Sequence, residues 1–108
     1  MNDWIRVCTV GEIPAQGARV LRQAGEVDIA VFRTAADEVF ALRDRCPHKG
    51  GPLSQGLVHG KTVTCPLHNW TIELDTGNAR APDIGCAGHL PVRVEAGDVY
   101  VRLGRRHG

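Results

Sequence analysis

The sequence predicts an all-β fold, an antiparallel β-sandwich or barrel with a small inserted subdomain. Three observations lead there. Short runs alternate apolar and polar residues at a period of two, the pattern of half-buried strands. Thirteen Gly and six Pro among 108 residues supply turns at close intervals. No stretch holds a convincing helix of three turns, which leaves many short strands in a sandwich or barrel. The length suits one domain spanning residues 1–108.

In chain order, Trp4 to Val10 reads as the first strand, with Ile5, Val7 and Thr9 on one face. Gly11 to Gly17 is a loop punctuated by Gly and Pro. Ala18 to Gln23 is a second strand, Val27 to Thr34 a third and Val39 to Arg43 a fourth. The Ala35-Ala36-Asp37-Glu38 link makes the last two a hairpin. Gly56 to His59 and Thr62 to Cys65 form a tight hairpin through Gly60-Lys61. Trp70 to Leu74 is a strand closed by the turn signal Asp75-Thr76-Gly77. Leu90 to Glu95 and Val99 to Leu103 make a final hairpin through Ala96-Gly97-Asp98. There Val92 and Val94 alternate with Arg93 and Glu95, and Val99, Val101 and Leu103 with Tyr100 and Arg102. Gly104 to Gly108 reads as a frayed basic tail.

The chemistry lies in two runs. They are Cys46-Pro47-His48-Lys49-Gly50-Gly51-Pro52-Leu53 and Cys65-Pro66-Leu67-His68-Asn69-Trp70. Each offers one thiol and one imidazole, spaced Cys-x-His in the first and Cys-x-x-His in the second. Two short loops can hold these four groups towards a shared point. A [2Fe–2S] cluster with two Cys on one iron and two His on the other needs that ligand set. Zinc also accepts Cys₂His₂, but zinc fingers place two Cys together and then two His together. Here the order alternates Cys, His, Cys, His. Pro47 and Pro66 stiffen the loops, and Gly50 and Gly51 let backbone amides approach sulfur.

The two motifs resemble the Rieske family at all four ligand positions. The resemblance implies that Cys46 and Cys65 bind one iron and His48 and His68 the other. It also implies a base of antiparallel sheets with a cluster-binding subdomain at about 44–71. High-potential relatives carry an extra disulfide at the positions of Gly51 and Leu67. They also carry Ser and Tyr hydroxyls at the positions of Trp70 and Ile72. Neither feature is possible here, so the resemblance implies a potential near the bottom of the Rieske range, of the order of −150 to 0 mV. Asn69 stands where the family most often has Gly, and Asn tolerates the left-handed conformation better than most residues.

The remaining signals mostly exclude. A net charge of +1 with no basic stripe argues against nucleic acid. No apolar run approaches the length of a membrane-spanning helix. Met1-Asn2-Asp3-Trp4 lacks the basic and apolar regions of a signal peptide, which leads to an expected cytoplasmic location. Cys8 and Cys86 read as unpaired thiols, buried or partly so, and His59 and His89 as structural or surface residues. Asp37, Glu38, Asp75 and Asp83 sit at turn-like positions and form no acid–base pair. No nucleophile elbow, P-loop or dinucleotide fingerprint is present, so no catalytic residue is expected on this chain.

Within the Rieske family, the flanking stretches are similar to small subunits of assimilatory NAD(P)H nitrite reductases. They are Trp4-Ile5-Arg6-Val7-Cys8, Ala81-Pro82-Asp83-Ile84-Gly85-Cys86 and Leu90-Pro91-Val92-Arg93-Val94-Glu95. That resemblance implies a relay serving a large partner with FAD, a [4Fe–4S] cluster and sirohaem, which reduces nitrite to ammonia. The alternative is a free Rieske ferredoxin serving an aromatic-ring dioxygenase or a similar oxygenase and its reductase. Such carriers are often acidic, and the near-neutral charge weighs against that reading. A zinc-binding module is the third reading.

Overall fold

The computed structural model describes residues 4–23, 26–46, 51–66, 69–80 and 84–103. Among these, ten strands appear: β1 (Trp4–Thr9), β2 (Gly17–Leu21), β3 (Ile29–Arg33), β4 (Val39–Arg43), β5 (Leu57–His59), β6 (Thr62–Thr64), β7 (Thr71–Glu73), β8 (His89–Leu90), β9 (Val92–Glu95) and β10 (Asp98–Arg102). They form three antiparallel sheets, in the orders β1-β10-β9, β2-β3-β4-β8 and β5-β6-β7. The all-β expectation holds.

The four-stranded sheet has a core on each face. Along β3, Ile29 and Val31 join Cys8, Ala41, Leu90, Val99 and Val101 in one apolar cluster. Ala30 and Phe32, pointing the other way, join Leu42, Leu53, Val63, Ile72 and Leu74 in a second. A strand covered on both faces must be apolar at every position. That is why Ile-Ala-Val-Phe runs without a polar break and all four residues are buried. The second core backs onto the β5-β6-β7 sheet, and it is the one that contains Cys46 and Cys65.

Turn chemistry sets the hairpins. Gly60-Lys61 joins β5 to β6, with positive φ at Gly60 alone, the φ pattern of a type II′ turn. Ala96-Gly97 joins β9 to β10, with φ of 51° and 83°, the φ pattern of type I′. The hairpin expected there closes one residue sooner, because Asp98 already pairs with Glu95.

Three expectations need correction. The register of β1 against β10 shifts between Arg6 and Cys8. This bulge leaves Val7 as an extra residue and reverses the alternation beyond it. Cys8 therefore points into the core beside Val99, and the proposed Ile5-Val7-Thr9 face does not exist. Val10 to Glu12 is a 3₁₀ turn in place of strand end and loop. There the Thr9 backbone N–H and hydroxyl both donate to the Glu12 carboxylate, at 2.8 and 3.2 Å. Finally, Leu90 to Glu95 is not one strand. Pro91 has no N–H to continue a ladder. The chain changes sheet there, with β8 pairing with β4 and β9 with β10. β9 is an edge strand, so Val94 is 46% exposed despite its alternating pattern.

Candidate metal centre

The first loop grows from the end of β4. The Arg45 N–H donates to the Arg43 carbonyl at 2.7 Å, making a γ-turn centred on Asp44. The Asp44 N–H is anchored on the Asp28 carbonyl at 2.7 Å. Its carboxylate crosses to the far side of the loop. Oδ1 accepts the Ser54 backbone N–H at 2.6 Å, and Oδ2 accepts the Ser54 hydroxyl at 2.7 Å. Asp44 lies on the stem entering the loop, and Ser54 lies in the 3₁₀ turn Leu53–Gln55 that follows it. One carboxylate thus ties the two stems together. Sequence reading missed this pair, because nothing in its spacing distinguishes it from two solvated polar residues.

The loop itself is closed by the Cys46 N–H, which donates to the Gly51 carbonyl at 2.8 Å. The second loop repeats the device. The Cys65 N–H donates to the Trp70 carbonyl at 2.7 Å. Each loop is therefore six residues closed from its first N–H to its last C=O, with a cysteine in first place. Thr64 and Thr71 form the last pair of the β6–β7 ladder, so Cys65 to Trp70 is a hairpin loop on a regular stem. Asn69 adopts φ 56°, the left-handed conformation expected where relatives use Gly.

The two loops rest on one floor. Gly56, just after the first, lies flush against the strand that leads to Cys65. A Cβ on Gly56 would collide with the Thr64 carbonyl oxygen and the Val63 side chain. Leu53, Val63, Ile72 and Leu74 are fully buried beneath, in the same cluster as both cysteines. Cys46 is 1% exposed and Cys65 0%. Trp70 packs partly buried against the cluster, and Ile72 is buried within it, so Ile72 offers only hydrocarbon. His48 and His68, the expected imidazole ligands, lie outside the described residues. So do Pro47, Lys49, Gly50, Leu67 and Asp83.

The other singled-out residues stand apart. Cys8 is in the opposite core, where burial pushes its thiol pKa up. Cys86 is exposed, not buried or partly so as expected. Its sulfur accepts the Gly88 N–H at 3.5 Å. His59 and His89 are exposed. Asp37 pairs with Arg33 at 2.8 Å and Glu38 with Lys61 at 3.6 Å. Asp75 is exposed in the turn after β7. No described helix is long and apolar enough to cross a membrane.

The described part of the site fits a [2Fe–2S] cluster in its donor chemistry. Two thiols occupy equivalent places in two like loops over one dry floor. A model of the Rieske [2Fe–2S] domain matches residues 3–94. The chain is 40% identical over 99 residues to the 3-phenylpropionate/cinnamic acid dioxygenase ferredoxin subunit of Photorhabdus laumondii, covering 90% of this chain and 91% of that one. It is 35% identical over 111 residues to a 4beta-methylsterol monooxygenase of Methylococcus capsulatus, covering 93% of this chain but only 30% of that protein. Among solved structures it matches, at TM-score 0.85 and 27% identity with full coverage of both chains, a chain in the complex of reduced oxygenase and oxidized ferredoxin of carbazole 1,9a-dioxygenase. A putative NADH-dependent nitrite reductase small subunit from Mycobacterium tuberculosis aligns at TM-score 0.82 and 21% identity, covering 94% and 95%. That last likeness is one of fold. The chain belongs to the Rieske [2Fe–2S] family and is an electron-transfer protein of that kind.

Proposed function

We propose that Cys46, His48, Cys65 and His68 hold the cluster, within a cluster-binding unit of about residues 44–71. We further propose that the chain is the ferredoxin of an oxygenase system, with an aromatic-ring dioxygenase or similar oxygenase as acceptor and a flavin reductase as donor. The observation that carries the acceptor is the match to a dioxygenase ferredoxin subunit across nearly the full length of both chains. The nitrite reductase reading rests on likeness of fold alone, so the oxygenase alternative displaces it.

When bound, the cluster supplies one-electron chemistry at a mild potential. The chain's own residues do the rest. Leu53, Val63, Ile72 and Leu74 exclude water from the thiolate side. A low-dielectric floor strengthens the backbone hydrogen bonds aimed into the loops. The Asp44–Ser54 bridge ties the stems of the first loop, and the two Cys N–H closures pin the ends of both loops. Little reorganisation is then needed as charge changes. A potential near the bottom of the Rieske range suits reduction by a flavin.

The test is affinity capture of the tagged holoprotein from its own cells, followed by mass spectrometry and turnover. A ring-hydroxylating or related oxygenase should be recovered, and reduced holoprotein should support its substrate-dependent oxygen uptake. Recovery of a sirohaem flavoprotein whose nitrite reduction depends on this chain would overturn the proposal.

A further inference from the structure

We infer that the cluster end of this protein is a cationic docking face, built for a redox partner that carries carboxylates around its own electron-exchanging group. The inference rests on the reading of this chain as a Rieske carrier. The net charge of +1 conceals a polarised distribution. Between Arg43 and Ile72 the cations are Arg43, Arg45, Lys49 and Lys61, and the only acid is Asp44. That stretch carries +3, so the rest of the chain carries −2.

The structure shows which of these charges are available. Six described cations are spent in ion pairs, Lys61 with Glu38 among them. Asp44, the single acid of the stretch, is turned inward on Ser54. Arg43 and Arg45 are exposed and have no ion pair among the described residues; Arg19 and Arg102 share that state, but only Arg43 and Arg45 stand on the stem of a cysteine loop. The γ-turn at Asp44 sets them two residues apart on the stem of the first loop, with Arg45 next to Cys46. Arg43 is also held in place. Its N–H donates to the Gly88 carbonyl at 2.9 Å. Its stem lies across Gly88, where an added Cβ would fall 2.9 Å from Arg43 Cδ. A charge whose stem is already ordered loses less entropy on docking. Four residues before Gly88, Ile84 is 89% exposed, an apolar residue of the kind found within charged docking rims. Local charge steers encounter more than total charge does when the partner approaches one end.

The sign of the field at the cluster is measurable without knowing the partner. Reduced holoprotein is oxidised under stopped flow by trianionic tris(oxalato)cobaltate(III) and, separately, by tricationic hexaamminecobalt(III), across ionic strength. Oxidation by the anion should slow on the order of tenfold between low and physiological salt, as screening removes the attraction. Oxidation by the cation should quicken or stay flat. Arg43→Glu with Arg45→Glu should reverse both trends. Arg19→Glu with Arg102→Glu, the same change in total charge on two other exposed arginines, should leave them nearly intact. Equal effects from both double variants, or no difference between the two oxidants, would overturn the inference. Co-sedimentation of the holoprotein with anionic lipid vesicles or duplex DNA at physiological salt would also overturn it, assigning the face to another occupant. A colourless protein with no redox response would instead defeat the Rieske reading beneath it.

Discussion

Ser54→Ala tests whether the Asp44 bridge holds the first loop shut. The substitution removes the hydroxyl bond to Oδ2 at 2.7 Å and leaves the backbone bond to Oδ1 at 2.6 Å. A hydrogen bond to a charged group contributes about 1.5–3 kcal/mol. Asp44 and Ser54 are only half-buried, so the lower end, about 1.5 kcal/mol, applies. The bridge links the stem before Cys46 to the turn after Gly51, so its loss should act on local opening of that loop more than on the distant sheets. At about 1.4 kcal/mol per factor of ten, opening should become roughly tenfold more frequent. Opening exposes a buried thiolate, so the assay is bleaching of the visible cluster absorption in excess chelator. Ser54→Ala should bleach about tenfold faster than the parent, and Ser54→Thr, which keeps a hydroxyl, close to the parent rate. Asp44→Asn, which takes the charge from both bonds, should bleach at least as fast as Ser54→Ala. If Ser54→Ala bleaches at the parent rate, the bridge does not govern loop opening and the reasoning fails.

Other outcomes follow from the same structure. Asn69→Val should cost about 1–2 kcal/mol, because a β-branched side chain at φ 56° is strained, while Asn69→Gly should be near neutral; urea titration measures both. In native holoprotein the exposed Cys86 should react quickly with a thiol reagent and the buried Cys8 should not react, as peptide mapping after labelling would show. The Thr9 N–H, and then its hydroxyl, hold the Glu12 carboxyl below its ordinary pKa. A depressed folded-state pKa stabilises above the unfolded value of about 4.3, and that contribution disappears as pH falls through the folded value. Glu12→Gln should therefore lower stability at neutral pH and flatten its acid limb, and a Glu12→Gln stability curve parallel to the parent down through pH about 3 would contradict this.

What could be read from the sequence was what is local. Cys46 and Cys65 sit in short loops whose spacing alone displays the thiol–imidazole pattern. The Gly60-Lys61 and Ala96-Gly97 turns announce their hairpins through residue type. Asn69 could be placed in the left-handed region by its type and by the family resemblance. What could not be read depends on a partner far along the chain. The bulge at Val7 exists only relative to β10, more than ninety positions away in sequence, so the alternation looked regular when it was not. Pro91 was visible, but a change of sheet there shows only once β4 and β10 stand on either side of it. Asp44 and Ser54 are ordinary polar residues until the loop folds them together. Charge behaved likewise, since the total of +1 hides a stretch from Arg43 to Ile72 that carries +3, and only the folded chain shows Arg43 and Arg45 exposed beside the first loop.

In the proposed site, two imidazoles and two thiolates from these loops share one [2Fe–2S] cluster. Pulsed EPR of the dithionite-reduced holoprotein, prepared with and without ¹⁵N-labelled histidine, tests it most directly. Couplings to two histidine nitrogens that change with the label are expected, with His48→Ala and His68→Ala each failing to yield that spectrum. A reduced cluster with no histidine coupling would mean an all-thiolate centre and contradict the ligand assignment. A colourless protein carrying a single zinc would mean that these loops hold no iron–sulfur cluster at all.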